Sequence, residues 1–148
     1  QAILRRLWFD DDTTDRVCRL IRYHDDRPEL SERTVRRAMN RIGVENMPAL
    51  FAVKRADTLG QSLYHREEKL AYVDTYEHLF KEICAARQCV QKKDLAIGGS
   101  DLIAMGMKPG REIGEVLNEL FERVLDNPEL NQRDKLLELA HNLMTRLI

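Results

Sequence analysis

Hydrophobic residues recur at the spacing of an α-helix along nearly the whole chain. The segment TTDRVCRLIRYHD, for example, gathers three apolar residues and a histidine on a single face: Val17, Leu20, Ile21 and His24. The next segment, SERTVRRAMNRIG, begins with the helix-capping residue Ser31 and stops at Gly43. No segment sustains the alternation of polar and apolar residues that is typical of a β-strand. The pattern therefore predicts an all-α fold of about seven helices.

The segment RQCVQKKDLAIGGS interrupts this helical spacing, and Gly98 and Gly99 close it. We predict a boundary there between a helical body over residues 1–90 and a smaller helical tail over residues 91–148. The body is expected to end in a long helix from about Tyr64 to Ala86. The tail is expected to hold a short helix capped by Ser100, a helix from Pro109 to about Leu125, and a last helix capped by Asn131.

The composition narrows the class of protein. The 148 residues are 43% hydrophobic and 33% charged, which is too apolar for a disordered chain and too charged for a membrane protein. No run approaches the roughly 18 apolar residues that a spanning helix needs, so we expect no membrane partner. The three cysteines lack the spacing of a zinc site, which favours reduced thiols in a cytoplasmic protein. Gln1, in place of Met, and an opening without a helix cap favour a segment cut from a longer protein.

The helix predicted at SERTVRRAMNRIG carries four arginines within one sector of its circumference: Arg33, Arg36, Arg37 and Arg41. Apolar residues occupy the opposite side, which is expected to face the core. A guanidinium group can bind two phosphate oxygens at once, so the sector is a candidate phosphate-binding face. It can equally be a solvated surface, or one whose arginines pair with acidic residues elsewhere.

The stretch DLIAMGMKPGREIGEVLNEL places three glycines around one proline: Gly106, Gly110 and Gly114 around Pro109. Pro109 suits the first position of a helix, where its missing N–H costs nothing. Free N–H groups at such a helix start, flanked by Lys108 and Arg111, can bind a phosphate. The same glycines can instead form a plain corner, with Gly114 letting a neighbouring helix pack closely. The spacing alone favours the corner.

The adjacent pair His24 and Asp25 can supply metal ligands, and Asp57 is expected on a different helix. A binuclear hydrolase centre needs more histidines and aspartates at metal spacing than this chain offers. Taken by itself, the pattern favours His24 as a packed or surface residue.

Catalytic machinery is not evident in the sequence. We find no nucleophile–base set, no P-loop and no strand with paired aspartates, so no catalytic residue is predicted. Trp8, Tyr23 and the other aromatic residues follow helical core spacings, and we expect them in the core rather than as stacking platforms.

The order of several segments resembles the C-terminal half of bacterial CCA-adding tRNA nucleotidyltransferases. The segments are RLWFDDDTTDRVCRLIRYHDDR, TVRRAMNRIG, LFAVKRADTLGQ and KDLAIGGSDLIAMGMKPGREIGEVLNELFERVLDNPELNQRDKLL. The last is the most specific, because a DL pair, a glycine, the PG pair, IG and a leucine-rich helix occur together at the family's spacing. The resemblance extends over nearly the whole chain.

The resemblance implies a parent enzyme that adds C, C and A to the 3′ end of tRNA, using CTP, ATP and Mg²⁺. An N-terminal head would carry its metal-binding aspartates, and this chain would be the body and tail that bind tRNA against that head. RNA contacts would then fall on the arginine sector and the glycine turn, at Arg33, Arg36, Arg37, Arg41, Lys108, Pro109, Gly110 and Arg111. This segment itself would hold no cofactor and be inactive.

In the same family, the region before Gln1 often carries an HD-type metal-hydrolase module. Asp25 in RYHD would match its closing aspartate, so residues 1–90 would contain the end of that module. The earlier ligands would lie upstream, which leaves His24 and Asp25 as an incomplete metal site.

Two further functions stay open. The first is a remnant HD-type phosphohydrolase, which His24 and Asp25 motivate. The second is a helical module that forms a homodimer, because the last helix is rich in apolar residues that a small core has to cover. These are Leu136, Leu137, Leu139, Ala140, Leu143, Met144 and Leu147.

Overall fold

The structure is a computed structural model, which describes residues 2–147, with side chains described for residues 2–145. Over these residues it contains eight α-helices and three short 3-10 helices, so the all-α prediction is confirmed. The α-helices are α1 (Ala2–Arg6), α2 (Asp11–Tyr23), α3 (Glu32–Ile42), α4 (Met47–Gly60), α5 (Arg66–Ala85), α6 (Gly99–Ala104), α7 (Arg111–Asp126) and α8 (Arg133–Leu147). The helix beyond the expected number is α1, whose five residues are too few to show a period.

The chain divides into two compact units, Gln1–Ala86 and Arg87–Ile148. Arg87 is also the first residue of the segment that interrupts the helical spacing. In the first unit, α5 packs against α3 and α4. Phe51 of α4 lies at the centre of this packing, with its ring 5.2 Å from that of Tyr76 and 5.6 Å from that of Phe80. Edge-to-face rings at these distances add to the free energy that burial provides.

The start of α3 follows the predicted capping. The backbone N–H of Thr34 donates to Ser31 Oγ at 3.3 Å, and the N–H of Ser31 donates to Thr34 Oγ1 at 3.2 Å. These bonds satisfy N–H groups that a helix start otherwise leaves without acceptors. The helix ends at Gly43, whose φ of +96° favours glycine.

A buried lysine holds the chain after α2. Lys54 of α4 is 5% exposed, and its Nζ donates to the backbone carbonyls of His24 and Asp26, both at 2.6 Å. The Tyr72 hydroxyl of α5 donates to the carbonyl of Pro28 at 2.7 Å. Burial lowers the pKa of Lys54, because removal from water disfavours the charged ammonium. The loop over residues 24–28 is therefore tied to both α4 and α5.

In the second unit, α7 packs against α6 and α8 around a separate hydrophobic core. Its fully buried members include Leu102 of α6, Leu120 and Val124 of α7, and Leu136 of α8. An ion pair joins α8 to α6 in the same unit, with Arg133 Nη2 2.6 Å from Asp101 Oδ1. The other oxygen, Asp101 Oδ2, accepts from the Gly98 N–H at 2.7 Å.

Two predicted caps in this unit are wrong. Helix α6 begins at Gly99, and Asp101 rather than Ser100 supplies the side chain that bonds its first turn. Helix α8 begins at Arg133, and the Asn131 side chain instead contacts the preceding loop. There, Asn131 Nδ2 donates to the Asp94 carbonyl at 2.9 Å, and Oδ1 accepts from the Ala96 N–H at 2.8 Å. Capping residues were assigned from local spacing, whereas the bonds of Asn131 are to groups distant in sequence.

The apolar residues of α8 mostly contribute to the core of their own unit. Leu136 and Ala140 are fully buried, and four neighbours pack partly buried against the core: Leu137, Leu139, Leu143 and Met144. Leu147 lies outside the residues whose side chains the structure describes. The described part of this helix therefore leaves little apolar surface to drive a homodimer.

Replacing Lys54 with alanine tests the hydrogen bonds that hold the loop after α2. Lys54→Ala leaves the carbonyls of His24 and Asp26 without their donor, so we expect it to lower the free energy of unfolding by about 2–4 kcal/mol. The measurement is urea denaturation followed by circular dichroism. Lys81→Ala, which removes an exposed lysine paired with Glu77, is the control and should cost less than about 0.5 kcal/mol. Equal losses in the two variants would contradict the assigned role.

Asp101 makes the second unit sensitive to acid. The Gly98 N–H and then Arg133 lower the pKa of this carboxyl, so the folded chain favours the ionised form. The ionised Asp101 carboxyl contributes its full stabilisation at a pH above the ordinary pKa that this group has in the unfolded chain. This stabilisation disappears as the pH falls through the lowered pKa of the folded chain. We expect the difference in free energy of unfolding between the wild type and Asp101→Asn to shrink over that acidic window. A difference that is independent of pH in denaturation curves would refute this assignment.

Candidate functional site

The arginine sector of α3 is only partly on the surface. Arg33 and Arg41 are exposed and Arg37 is half-buried, whereas Arg36 is 3% exposed. Arg36 Nη1 donates to Glu32 Oε2, one turn earlier on the same helix, at 3.1 Å. Arg36 stands at the edge of the sector, beside the buried Met39, so tertiary packing covers it. The expectation that Arg36 lies on the open face is therefore wrong, and the arginine face of α3 consists of Arg33, Arg37 and Arg41.

Arg41 points towards α2 rather than straight into solvent. Its guanidinium lies over the ring of Tyr23, 5.0 Å from the ring centre, and its Nη2 is 3.3 Å from Asp26 Oδ2. It lines an open cavity of about 320 Å³ between α2 and α3, which we term the α2–α3 pocket. The residues lining this pocket are Asp15, Cys18, Arg19, Arg22, Tyr23 and Arg41.

Arg19 and Arg22 did not emerge from the sequence as site residues. They lie on α2, and only the fold brings them near Arg41 on α3. The sequence does contain one signal of this helix face. Asp15, Cys18, Arg19 and Arg22 follow each other at the three- to four-residue spacing that places side chains on the same side of a helix.

The glycine turn, residues 106–110, is a corner between α6 and α7. Gly106 has a φ of +100°, which closes α6 in the left-handed conformation. The N–H of Met107 donates back to the Leu102 carbonyl at 3.1 Å, and the Met107 side chain joins the core. Helix α7 begins at Arg111, so Pro109 precedes the helix and does not occupy its first position. The predicted corner is thus present, and the side of the turn that leads into α7 is exposed.

That open side is the start of α7. Gly110 is the residue before the helix and caps it with no side chain, so the first N–H groups of α7 keep their capacity to donate. Lys108 and Pro109 are exposed, and the Arg111 side chain is 92% exposed while pairing with Glu115 at 2.8 Å. Free N–H groups, the helix dipole and adjacent cations together suit an anion.

Gly114 extends this open side along the helix. Apart from its chain neighbours and the backbone of its own helix, a Cβ placed on Gly110 or on Gly114 would meet no described atom within 4 Å. The idea that Gly114 admits a neighbouring helix therefore finds no partner among the described residues. The glycine that permits close packing is Gly99, where a Cβ would lie 3.3 Å from Ile113 Cγ2.

His24 and Asp25 lie together, and no third metal ligand joins them among the described residues. His24 Nδ1 is 2.6 Å from the Ile21 carbonyl, and Nε2 is 3.2 Å from Asp25 Oδ2. Asp57 accepts from the Gln61 side chain at 2.6 Å. No group of three or more histidine, cysteine or acidic side chains in the described part of the chain could hold a metal ion. These donors therefore do not make up the ligand set of a binuclear metal-hydrolase centre.

The aromatic residues are less uniformly buried than their spacing predicted. Trp8 is 94% exposed and Tyr64 is 74% exposed, while Tyr76 is 1% exposed. Tyr64 and Tyr72, with Arg27 and Lys69, line a second open cavity of about 490 Å³. Trp8 follows the short α1 and has a φ of +59°, so it belongs to a turn rather than to a packed helix face.

Taken together, the helices and these cationic surfaces define an all-α protein with two open anion-binding candidates, the α2–α3 pocket and the start of α7. Among residues 2–147, no helix combines the length and hydrophobicity that crossing a membrane requires.

Comparison with known proteins assigns the family. The profile of tRNA nucleotidyltransferase domain 2 matches residues 1–140. The chain therefore belongs to this family. It is also 37% identical over 73 residues to a CCA-adding enzyme of Lacticaseibacillus paracasei, a match that covers 49% of this chain and 18% of that enzyme. No solved structure matches the chain.

A substitution at Gly114 tests, without any ligand, whether this face of α7 is exposed. Because nothing lies within 4 Å of a Cβ there and the residue is inside α7, Gly114→Ala should raise the free energy of unfolding by about 0.5–1 kcal/mol. Gly43→Ala is the control, since a φ of +96° and a close Glu45 side chain should make it destabilising. A destabilised Gly114→Ala variant would show that this face packs against the chain after all.

Proposed function

We propose that this chain is the tRNA-binding part of a CCA-adding tRNA nucleotidyltransferase. In this proposal it positions tRNA so that an N-terminal head of the same protein can add nucleotides to the 3′ end from CTP and ATP. The observation that carries the proposal is the uncapped, side-chain-free start of α7, flanked by Lys108 and Arg111, in a member of the tRNA nucleotidyltransferase family. The match to part of a CCA-adding enzyme supports the choice of CCA addition.

The physics of RNA recognition favours this kind of surface. An enzyme that adds a fixed sequence without a template has to recognise tRNA by its shape. An RNA double helix is recognised by shape mainly through phosphate and 2′-hydroxyl contacts, because its deep major groove hides the base edges. Helix N–H groups and guanidinium groups both donate to phosphate oxygens, and bare glycines let a backbone approach closely.

The charge of the chain makes the location of these surfaces important. The formal net charge is −1, so the protein as a whole does not attract a polyanion. RNA binding then depends on local donors: Lys108, Arg111 and the N–H groups at the start of α7, where Glu112 opposes an anion, and the arginine face of α3. Acidic surface elsewhere, in this proposal, limits nonspecific association.

The nucleotides and Mg²⁺ are assigned to the head. No group of three or more histidine, cysteine or acidic side chains among the described residues could hold a metal ion, and this chain spans only part of the length of the matched enzyme. The partners proposed for this chain are therefore tRNA and the head of the same protein, in the cytoplasm, where tRNA is processed. Neither the phosphohydrolase nor the homodimer is favoured by a specific contact among the described residues.

An RNA-binding titration tests the start of α7. We expect this chain to bind a minihelix of the tRNA acceptor and T arms, with affinity falling as salt rises. The double variant Lys108→Gln/Arg111→Gln should bind about tenfold more weakly and lower the salt slope by about two, since each removed cation releases one fewer counterion. The measurement is fluorescence anisotropy of labelled minihelix across a salt series.

A charge-matched variant separates local contact from general attraction. Lys81→Gln/Lys93→Gln removes the same charge at exposed positions outside α7 and the glycine turn, and it should leave the affinity within about twofold. Equal weakening in both double variants would count against the assigned surface. Absence of binding at low salt would refute the proposed function itself.

A further inference from the structure

The α2–α3 pocket is the strongest feature that the proposed function does not yet use. It lies within the first unit, and three arginines line its wall: Arg19 and Arg22 from α2, and Arg41 from α3. Its volume of about 320 Å³ is large enough for a phosphate group with a few waters and too small for a folded domain.

Two of the three arginines are held in place by the fold. Arg19 Nη1 donates to the carbonyl of Ile42, the last residue of α3, at 3.2 Å. Arg41 is fixed by the ring of Tyr23 and by Asp26. Because a guanidinium has five N–H donors, each of these side chains retains donors for a further acceptor. Positions that are set before binding lower the entropic cost of capturing a ligand.

Arg22 supplies the adaptable cation. It is exposed, lies one turn beyond Arg19 on α2, and makes no ion pair or hydrogen bond with the described residues. The pocket also contains one carboxylate, that of Asp15, and Asp26 contacts Arg41 from outside the lining. Three guanidinium groups therefore outweigh the nearby acids, which leaves the pocket locally positive in a chain with a net charge of −1.

We propose that the α2–α3 pocket binds one phosphate group of an RNA backbone through Arg19, Arg22 and Arg41. The inference rests on the proposed function for the choice of RNA, and it adds a contact in the first unit to the one at the start of α7. A phosphate suits the pocket better than a carboxylate, because its several oxygens can accept from guanidinium groups that approach from two helices. Asp15 opposes this binding by like-charge repulsion and limits its strength.

Three single substitutions test the pocket by minihelix binding. Arg22→Gln should weaken binding about fivefold and lower the salt slope by about one. Asp15→Asn should strengthen binding by about twofold, since the repulsion is removed while the side-chain shape remains. Arg16→Gln is the matched control on the same helix, because Arg16 is exposed and does not line the pocket, and its effect should stay within about twofold.

Cys18 reports occupancy of the pocket directly. It is half-buried in the lining, so a bound phosphate should slow its alkylation by iodoacetamide. Cys84, which is exposed and outside the lining, serves as the reference thiol in the same sample. Cys89 is buried, and burial raises its pKa to about 11, so it should stay unmodified. Mass spectrometry of peptides after timed alkylation gives the ratio of Cys18 to Cys84 modification with minihelix, with inorganic phosphate, or with neither.

Protection of Cys18 by the minihelix, together with a larger effect of Arg22→Gln than of Arg16→Gln, is the expected result. If the minihelix binds while Cys18 stays unprotected and the two arginine variants behave alike, the pocket proposal fails and the proposed function stands. If the minihelix does not bind but inorganic phosphate protects Cys18, the pocket takes a free anion, and both the RNA assignment and the proposed function are overturned. Protection by neither probe, without minihelix binding, overturns both as well.

Discussion

The buried ammonium group of Lys54 is the contact on which the arrangement of the first unit depends. It joins two backbone carbonyls just after α2 to the middle of α4, while Tyr72 joins the same loop to α5. A lysine with little access to water is costly unless its donors are used, and here carbonyl oxygens use them. The direction in which α2 enters this loop determines where Arg19 and Arg22 lie relative to α3.

Much of the fold follows from local patterns in the sequence. The helical period, the capping of α3 by Ser31 and its end at Gly43 are properties of neighbouring residues, so they could be predicted. The roles of Asn131, Asp101 and Lys54 could not, because each side chain bonds to a group whose position only the folded chain determines. The short α1 offered too few residues for any period to appear.

The candidate sites show the same division. Local spacing located the glycine turn and the arginine face of α3, but not the burial of Arg36 at the edge of that face. It also passed over Arg19 and Arg22, because a site assembled from two helices has no signature on either one alone. Whether these surfaces contact RNA is a question of chemistry between molecules, which the helical period does not address.

The distribution of aromatic residues between the two units has a practical consequence. The tryptophan and all four tyrosines precede Arg87, and Tyr23 lines the α2–α3 pocket beside Arg41. The second unit, with the start of α7, contains neither residue type. Intrinsic tyrosine and tryptophan emission therefore arises only from residues of the first unit. The α2–α3 pocket thus has an intrinsic emitter among its own lining residues, whereas the residues at the start of α7 supply none.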